Sequence, residues 1–164
     1  MYEQGQIPLA EELLAVMRVA ARNTLAARER FITPRALLLA LLDDPSVGPV
    51  LAPVVDRDRL EAIEPSEIDL SGVSRMPDER IGNEEQAALV RYDTIAFKTP
   101  DGRDTVWLNR DSLSIFLEGS RRVEDRYNPK QLALGLAAEA VRQPGVLSTI
   151  RVEPGALIDA IYKL

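Results

Sequence analysis

The sequence predicts an all-α protein in which two pseudo-symmetric units of four helices form one bundle. The first observation is an internal repeat. A capping residue, proline, a basic residue and spaced leucines occur at Thr33–Leu41 and again at Asn128–Leu136. Thr and Asn are favoured N-caps and proline fits the first helical turn, so each copy begins a helix. The second observation is that each copy lies within the same order of four predicted helices: a long helix, a buried central helix, a short helix and a final helix.

The first unit, at about residues 9–63, contains four predicted helices. Apolar residues at helical spacing over Leu9–Leu25 predict a long amphipathic helix. The helix that begins at Pro34 is apolar on nearly every side, which is typical of a buried central helix. Short helices are predicted over Val47–Leu51 and Asp58–Ile63.

The second unit, at about residues 110–164, repeats this order. Its long helix begins near Asn109 or Asp111, and its central helix begins at Pro129. A short helix is predicted over Val146–Ile150. The final helix begins at Pro154, since proline is favoured in a first turn.

An insertion of about residues 64–109 separates the two units. Glu64–Gly82 is polar and rich in turn residues, which indicates a linker. Asn83 caps a predicted short helix. Two β-prone runs, Thr94–Lys98 and Thr105–Leu108, flank a Pro-Asp-Gly sequence and predict a β-hairpin.

Composition and net charge exclude several classes of function. The chain has 164 residues, consistent with a single domain over residues 1–164, and it contains no Cys and no His. Thiol chemistry, thiolate metal sites and imidazole acid–base catalysis are therefore excluded, and we expect no enzyme and no cofactor. The formal net charge is −6, which disfavours nucleic acid as a partner. No apolar run reaches bilayer length and the start does not look like a signal peptide, so a cytoplasmic location is expected.

The repeat resembles the Clp N-terminal domain. In that family, Ile-Thr-Pro-Glu-His-Leu-Leu-x-Ala-Leu-Leu opens the second helix of each repeat, and here Ile32–Leu42 reads Ile-Thr-Pro-Arg-Ala-Leu-Leu-Leu-Ala-Leu-Leu. The resemblance implies an accessory or adaptor protein that binds Clp ATPase or protease subunits, other adaptors or substrate peptides. The chain has no Gly-x-x-x-x-Gly-Lys-Ser/Thr motif for nucleotide phosphates, so it looks like a free-standing domain without the AAA+ motor.

Five residues are the candidates for partner binding. Some family members recognise phosphoarginine through a glutamate at the position of Arg35 and Lys130, and basic residues there favour an acidic partner instead. Thr33 and Asn128 lie two residues before these positions, and their first role is to cap the helices. Trp107 alternates away from its apolar neighbours, so it either packs on the bundle or anchors a partner. We expect a monomer or a weak homo-oligomer.

Two other functions stay open. The first is an interaction protein no longer tied to Clp, whose hairpin pairs edge-to-edge with another chain. The second is a hydrolase built on carboxylates such as Glu84, Glu85 or Asp104.

Overall fold

The structure, a computed structural model, describes residues 8–62, 95–143, 145–148 and 152–164. These ranges contain eight helices and three short strands, with four helices in each half of the chain. In the first half the helices and strand are α1 (Glu11–Ala26), β1 (Phe31–Ile32), α2 (Pro34–Leu42), α3 (Gly48–Leu51) and α4 (Arg57–Glu61). The remaining elements are β2 (Ala96–Lys98), β3 (Thr105–Leu108), α5 (Arg110–Ser120), α6 (Pro129–Arg142), α7 (Gly145–Ser148) and α8 (Pro154–Tyr162).

Helices α2 and α6 begin where their caps predict. The Thr33 hydroxyl accepts a hydrogen bond from Ala36 N at 3.3 Å, and proline occupies the first turn of α2. Asn128 and Gln131 form a reciprocal capping box at the start of α6. Both arrangements satisfy amide groups that have no partner within the helix. The predicted linker over Glu64–Gly82 and the predicted helix after Asn83 lie outside the described residues.

The all-α prediction of a bundle of two four-helix units is wrong, because the fold includes a three-stranded mixed sheet. Its order is β1-β3-β2, with β1 parallel and β2 antiparallel to β3. The hairpin is the one predicted, but β1 is not predicted: Phe31 and Ile32 pair with Trp107 and Leu108. A strand of two residues is too short to show an alternating pattern, and its partner lies far away in the sequence.

The hairpin turn follows from its Pro-Asp-Gly sequence. Gly102 has φ +74°, a left-handed conformation that glycine adopts without steric cost. One oxygen of Asp101, Oδ1, accepts hydrogen bonds from Thr99 Oγ1 at 2.6 Å and from Arg103 N at 3.0 Å. These two hydrogen bonds lower the pKa of Asp101, since they favour the charged carboxylate.

The two halves are joined by a crossed pair of backbone contacts. Before α6, Tyr127 forms a parallel bridge with Leu9, and Ala10 N donates to Tyr127 O at 2.8 Å. Before α2, Ile32 O accepts from Asn109 N at 3.0 Å. Ala10 and Asn109 are the N-caps of α1 and α5. The second helix of each half is thus tied to the first helix of the other.

A single core lies between the helices and the inner face of the sheet. Phe116 of α5 packs edge-on against Phe97 of β2, with ring centroids 5.7 Å apart, and lies 4.8 Å from the ring of Tyr127. Tyr127 is fully buried and donates its hydroxyl hydrogen to Phe116 O at 2.7 Å. In the described ranges, no helix is long and apolar enough to cross a bilayer.

Candidate partner-binding surface

Thr33 lies inside the protein at the start of α2. The residue is 1% exposed, and its hydroxyl is used in the cap of that helix. Its position is set by β1, which brings the chain alongside β3 immediately before the cap. The side chain therefore supports the site and does not reach the surface.

Arg35 holds α4 against the start of α2. Its Nε donates to Leu60 O at 2.8 Å, and its Nη2 donates to Glu61 O at 3.1 Å. These carbonyls belong to the last turn of α4, where carbonyl groups have no partner within the helix. A cation is also favourable at that end of a helix. The guanidinium acts as a side-chain cap for another helix.

Glu29 interacts electrostatically with Arg35. Its Oε1 is inaccessible to water and has no hydrogen-bond partner among the described residues. Burial raises the pKa of Glu29, and the positive charge of Arg35 opposes this shift without cancelling it. In the sequence, Glu29 stands between Arg28 and Arg30 in a charged helix exit, so no pattern marks it as a buried carboxylate.

The start of α6 has the same cap but a different basic residue. Asn128 Oδ1 accepts from Gln131 N at 3.0 Å, while Gln131 Oε1 accepts from Asn128 N at 2.9 Å. Lys130 is exposed and makes no ion pair or side-chain hydrogen bond with the described residues. The basic residue of the repeat therefore binds α4 in the first half, as Arg35, and is exposed to solvent in the second half, as Lys130.

Trp107 lies in the centre of the sheet on its outer face. Val106 and Leu108 on either side of it are buried in the core, whereas Trp107 is half-buried. Its neighbours on the adjacent strands are Phe31 of β1 and Ala96 of β2. The sheet therefore places Trp107 next to the strand that leads into Thr33. Among the described residues, no hydrogen bond or ion pair joins it to Lys130.

Sequence reasoning missed a set of four exposed arginines in the first half: Arg18 and Arg22 on α1, and Arg28 and Arg30 just after it. We call these residues the arginine stripe. A signal was present, because Leu13–Leu42 contains five arginines and one glutamate, a local charge of +4 in a chain whose formal net charge is −6. The overall acidic charge concealed it.

Of the carboxylates in the hydrolase alternative, Asp104 lies exposed at the end of the hairpin turn, where its amide donates to Thr99 Oγ1 at 3.3 Å. The described residues contain no group of three or more acidic side chains placed to hold a metal ion. Asp101 is used in the hairpin turn. Glu84 and Glu85 lie outside the described ranges, so that part of the hypothesis stays a prediction.

No family model matches this chain, and no curated protein matches its sequence. The resemblance to the Clp N-terminal domain therefore depends on the residues of the repeat alone.

Proposed function

We propose that the chain is a non-catalytic module that binds proteins or peptides, as an accessory or adaptor of a cytoplasmic Clp ATPase–protease. Support for the Clp connection comes from Ile32–Leu42, which matches the family pattern at the cap, the proline and the leucines. A weaker form of the pattern recurs at the start of α6. Both segments form helices with the expected caps.

The observation that carries the binding role is the position of Trp107. It is the only tryptophan in the chain, and it lies half-buried on the outer face of the sheet beside Phe31. Tryptophan is enriched among the residues that dominate binding energy at protein interfaces. The exposed Lys98 on the same face adds a charge at the border of this aromatic pair.

The test is affinity purification from the source cell with a tagged chain. The wild type should recover a Clp ATPase, a Clp protease subunit or their substrates. The variant Trp107→Ala should recover much less, and Trp107→Phe should retain part of the binding. Failure of the wild type to recover any of these proteins would remove the proposed function. Equal recovery by Trp107→Ala would remove Trp107 from the site.

A second candidate, an interaction protein no longer tied to Clp, is favoured by the edge of β2. Leu108 N donates to Ile95 O at 2.8 Å, and Thr99 N donates to Asp104 O at 2.9 Å. The backbone N–H and C=O groups of the odd-numbered residues along β2 therefore point towards β3. The backbone groups of Ala96 and Lys98 therefore point away from the sheet, which suits the addition of a strand. Size-exclusion chromatography of the wild type and of Ala96→Pro tests this. A self-association that survives the proline would exclude pairing through β2.

A further inference from the structure

We propose that the arginine stripe is a docking surface for an acidic segment of a partner polypeptide. This inference depends on the proposed function only in taking the partner to be a polypeptide. The four residues of the stripe do not include Arg35 and Lys130, the two basic positions that the repeat singles out. Three features support it: the common orientation of the arginines on α1, their lack of acidic partners, and the contrast with the charge of the remaining chain.

The geometry of α1 places its two arginines side by side. The buried residues of the helix, including Leu13, Met17 and Ala21, lie on one side. Arg18 and Arg22 are both exposed on the opposite side, one helical turn apart. Residues four apart on a helix share a face and are separated by about 6 Å along the axis. Carboxylates on an extended or helical peptide can match this spacing.

The arginines have no acidic partners within the described residues. No acidic residue stands three or four positions from Arg18 or Arg22, and none of the four makes an ion pair there. Two like charges four residues apart weaken a helix slightly. Several arginines elsewhere in the described residues do form ion pairs: Arg57 with Asp43 at 2.6 Å, Arg121 with Glu118 at 3.2 Å, and Arg142 with Glu139 at 2.6 Å.

The other two arginines of the stripe are exposed and follow the end of α1 in the sequence. Arg28 has φ 61°, a left-handed conformation at the position where glycine is usually found after a helix. Its amide and that of Glu29 donate to Leu25 O and Thr24 O. A charged side chain therefore stands where glycine fits best. Arg30 follows and immediately precedes Phe31, the neighbour of Trp107.

The charge distribution favours a short acidic segment over a nucleic acid. Outside Leu13–Leu42 the chain has ten more acidic than basic residues. A long polyanion extends beyond the stripe and meets this negative charge, whereas a short acidic segment interacts mainly with the stripe. At physiological ionic strength the screening length is about 8 Å, so the stripe acts locally. An apolar residue beside the acidic segment can then contact Phe31 and Trp107.

Fluorescence anisotropy with a labelled peptide tests the proposal. The probe is a 20-residue peptide of Glu, Gly and Ser, and its control has Gln in place of each Glu. The wild-type chain should bind the Glu peptide more tightly, with an affinity that falls as salt is added. The double variant Arg18→Gln/Arg22→Gln should weaken binding by about fivefold, the effect expected for losing two exposed ion pairs. The matched variant Arg59→Gln/Arg126→Gln removes two exposed arginines elsewhere and should change affinity less than about twofold.

Several results would overturn the proposal. Equal binding of the Glu and Gln peptides would remove charge recognition. Equal losses in the two double variants would show a general charge effect. Tighter binding of a 20-nucleotide oligo-dT than of the Glu peptide would identify the stripe as a nucleic-acid surface. If the chain binds the Glu peptide through the stripe but recovers no Clp protein from the cell, the inference stands and the proposed function fails.

Discussion

The two copies of the repeated segment have the same cap and first-turn proline but use the next residue differently. In the first half, Arg35 donates to the last carbonyls of α4. In the second half, Lys130 is exposed and contacts no acidic group among the described residues. A cap acts on its own helix, so it is preserved wherever the helix begins. The role of the basic residue depends on what packs beside it, so equivalent positions in a repeat need not share a function.

The helix pairs of the two halves also differ at their contact. In the second half, α5 and α6 approach closely at Gly119 and Gly135: a Cβ on Gly135 would lie 2.5 Å from Gly119 N and would also clash with Ile115 O. In the first half, the position equivalent to Gly135 is Ala40, which is 2% exposed. The first pair therefore leaves room for a methyl group that the second pair excludes.

The largest expected effect tests this difference in packing. Gly135→Ala should destabilise the protein by about 3 kcal/mol, because the clashing atoms are backbone and cannot move aside cheaply. The reverse change in the first half, Ala40→Gly, should cost about 1 kcal/mol through helix propensity. Urea unfolding measures both.

Gly145→Ala is the matched control, since a Cβ there meets no atom within 4 Å. Its free energy of unfolding should stay close to the wild-type value. A loss for Gly135→Ala no larger than that of Gly145→Ala would mean that α5 and α6 are not in close contact.

The next effect separates the two basic residues. Arg35→Ala should lower the free energy of unfolding by about 1–2 kcal/mol, because two carbonyls of α4 lose a charged donor. Lys130→Ala should change it by less than about 0.5 kcal/mol, as is usual at exposed positions. Chemical denaturation of the two variants under identical conditions provides the comparison. Equal losses of unfolding free energy in the two variants would mean that Arg35 contributes no more to stability than Lys130 does.

A smaller, stabilising effect is expected at the helix exits. Arg28→Gly should raise the free energy of unfolding by up to about 1 kcal/mol, since glycine adopts φ 61° without strain. In the second half, the C-cap of α5 is Arg121, which has φ −68°, so Arg121→Gly has no such benefit and should be neutral or destabilising. Thermal unfolding of both variants measures the contrast. Destabilisation by Arg28→Gly would show that the Arg28 side chain contributes more than its backbone costs.

The smallest effect concerns pH. Burial raises the pKa of Glu29 above its ordinary 4.5, so the folded protein binds its proton more tightly than the unfolded chain. The stability from this group is fully present below pH 4.5 and is lost as the pH rises through the folded-state pKa. Glu29→Gln should therefore increase stability at neutral pH and flatten the decline above pH 4.5. Denaturation midpoints across that range provide the measurement.

Glu12→Gln is the control, because it replaces an exposed carboxylate in the first turn of α1. A Glu29→Gln profile that declines as steeply as the wild type would mean that Glu29 does not cause the decline.

The elements predicted correctly are those with local causes. Caps and prolines mark the starts of α2 and α6, and Pro-Asp-Gly marks the hairpin turn. What the sequence did not reveal depends on contacts between distant segments. Pairing of Phe31 with Trp107 and the use of Arg35 by α4 both require knowing which elements pack together. The arginine stripe does have a local signal, the positive charge of Leu13–Leu42, whereas the cap and proline of the repeat mark Arg35 and Lys130 instead.

The crossed contacts before α2 and α6 have a consequence for synthesis and folding. Ala10 pairs with Tyr127, which lies in the second half of the chain, and Ile32 pairs with Asn109. As the chain leaves the ribosome, the start of α1 stays without its partner until Tyr127 has emerged. Contacts so distant in sequence close large loops and slow folding. The first half is therefore expected to complete its folding only after the second half is available. The two halves should unfold in one cooperative step.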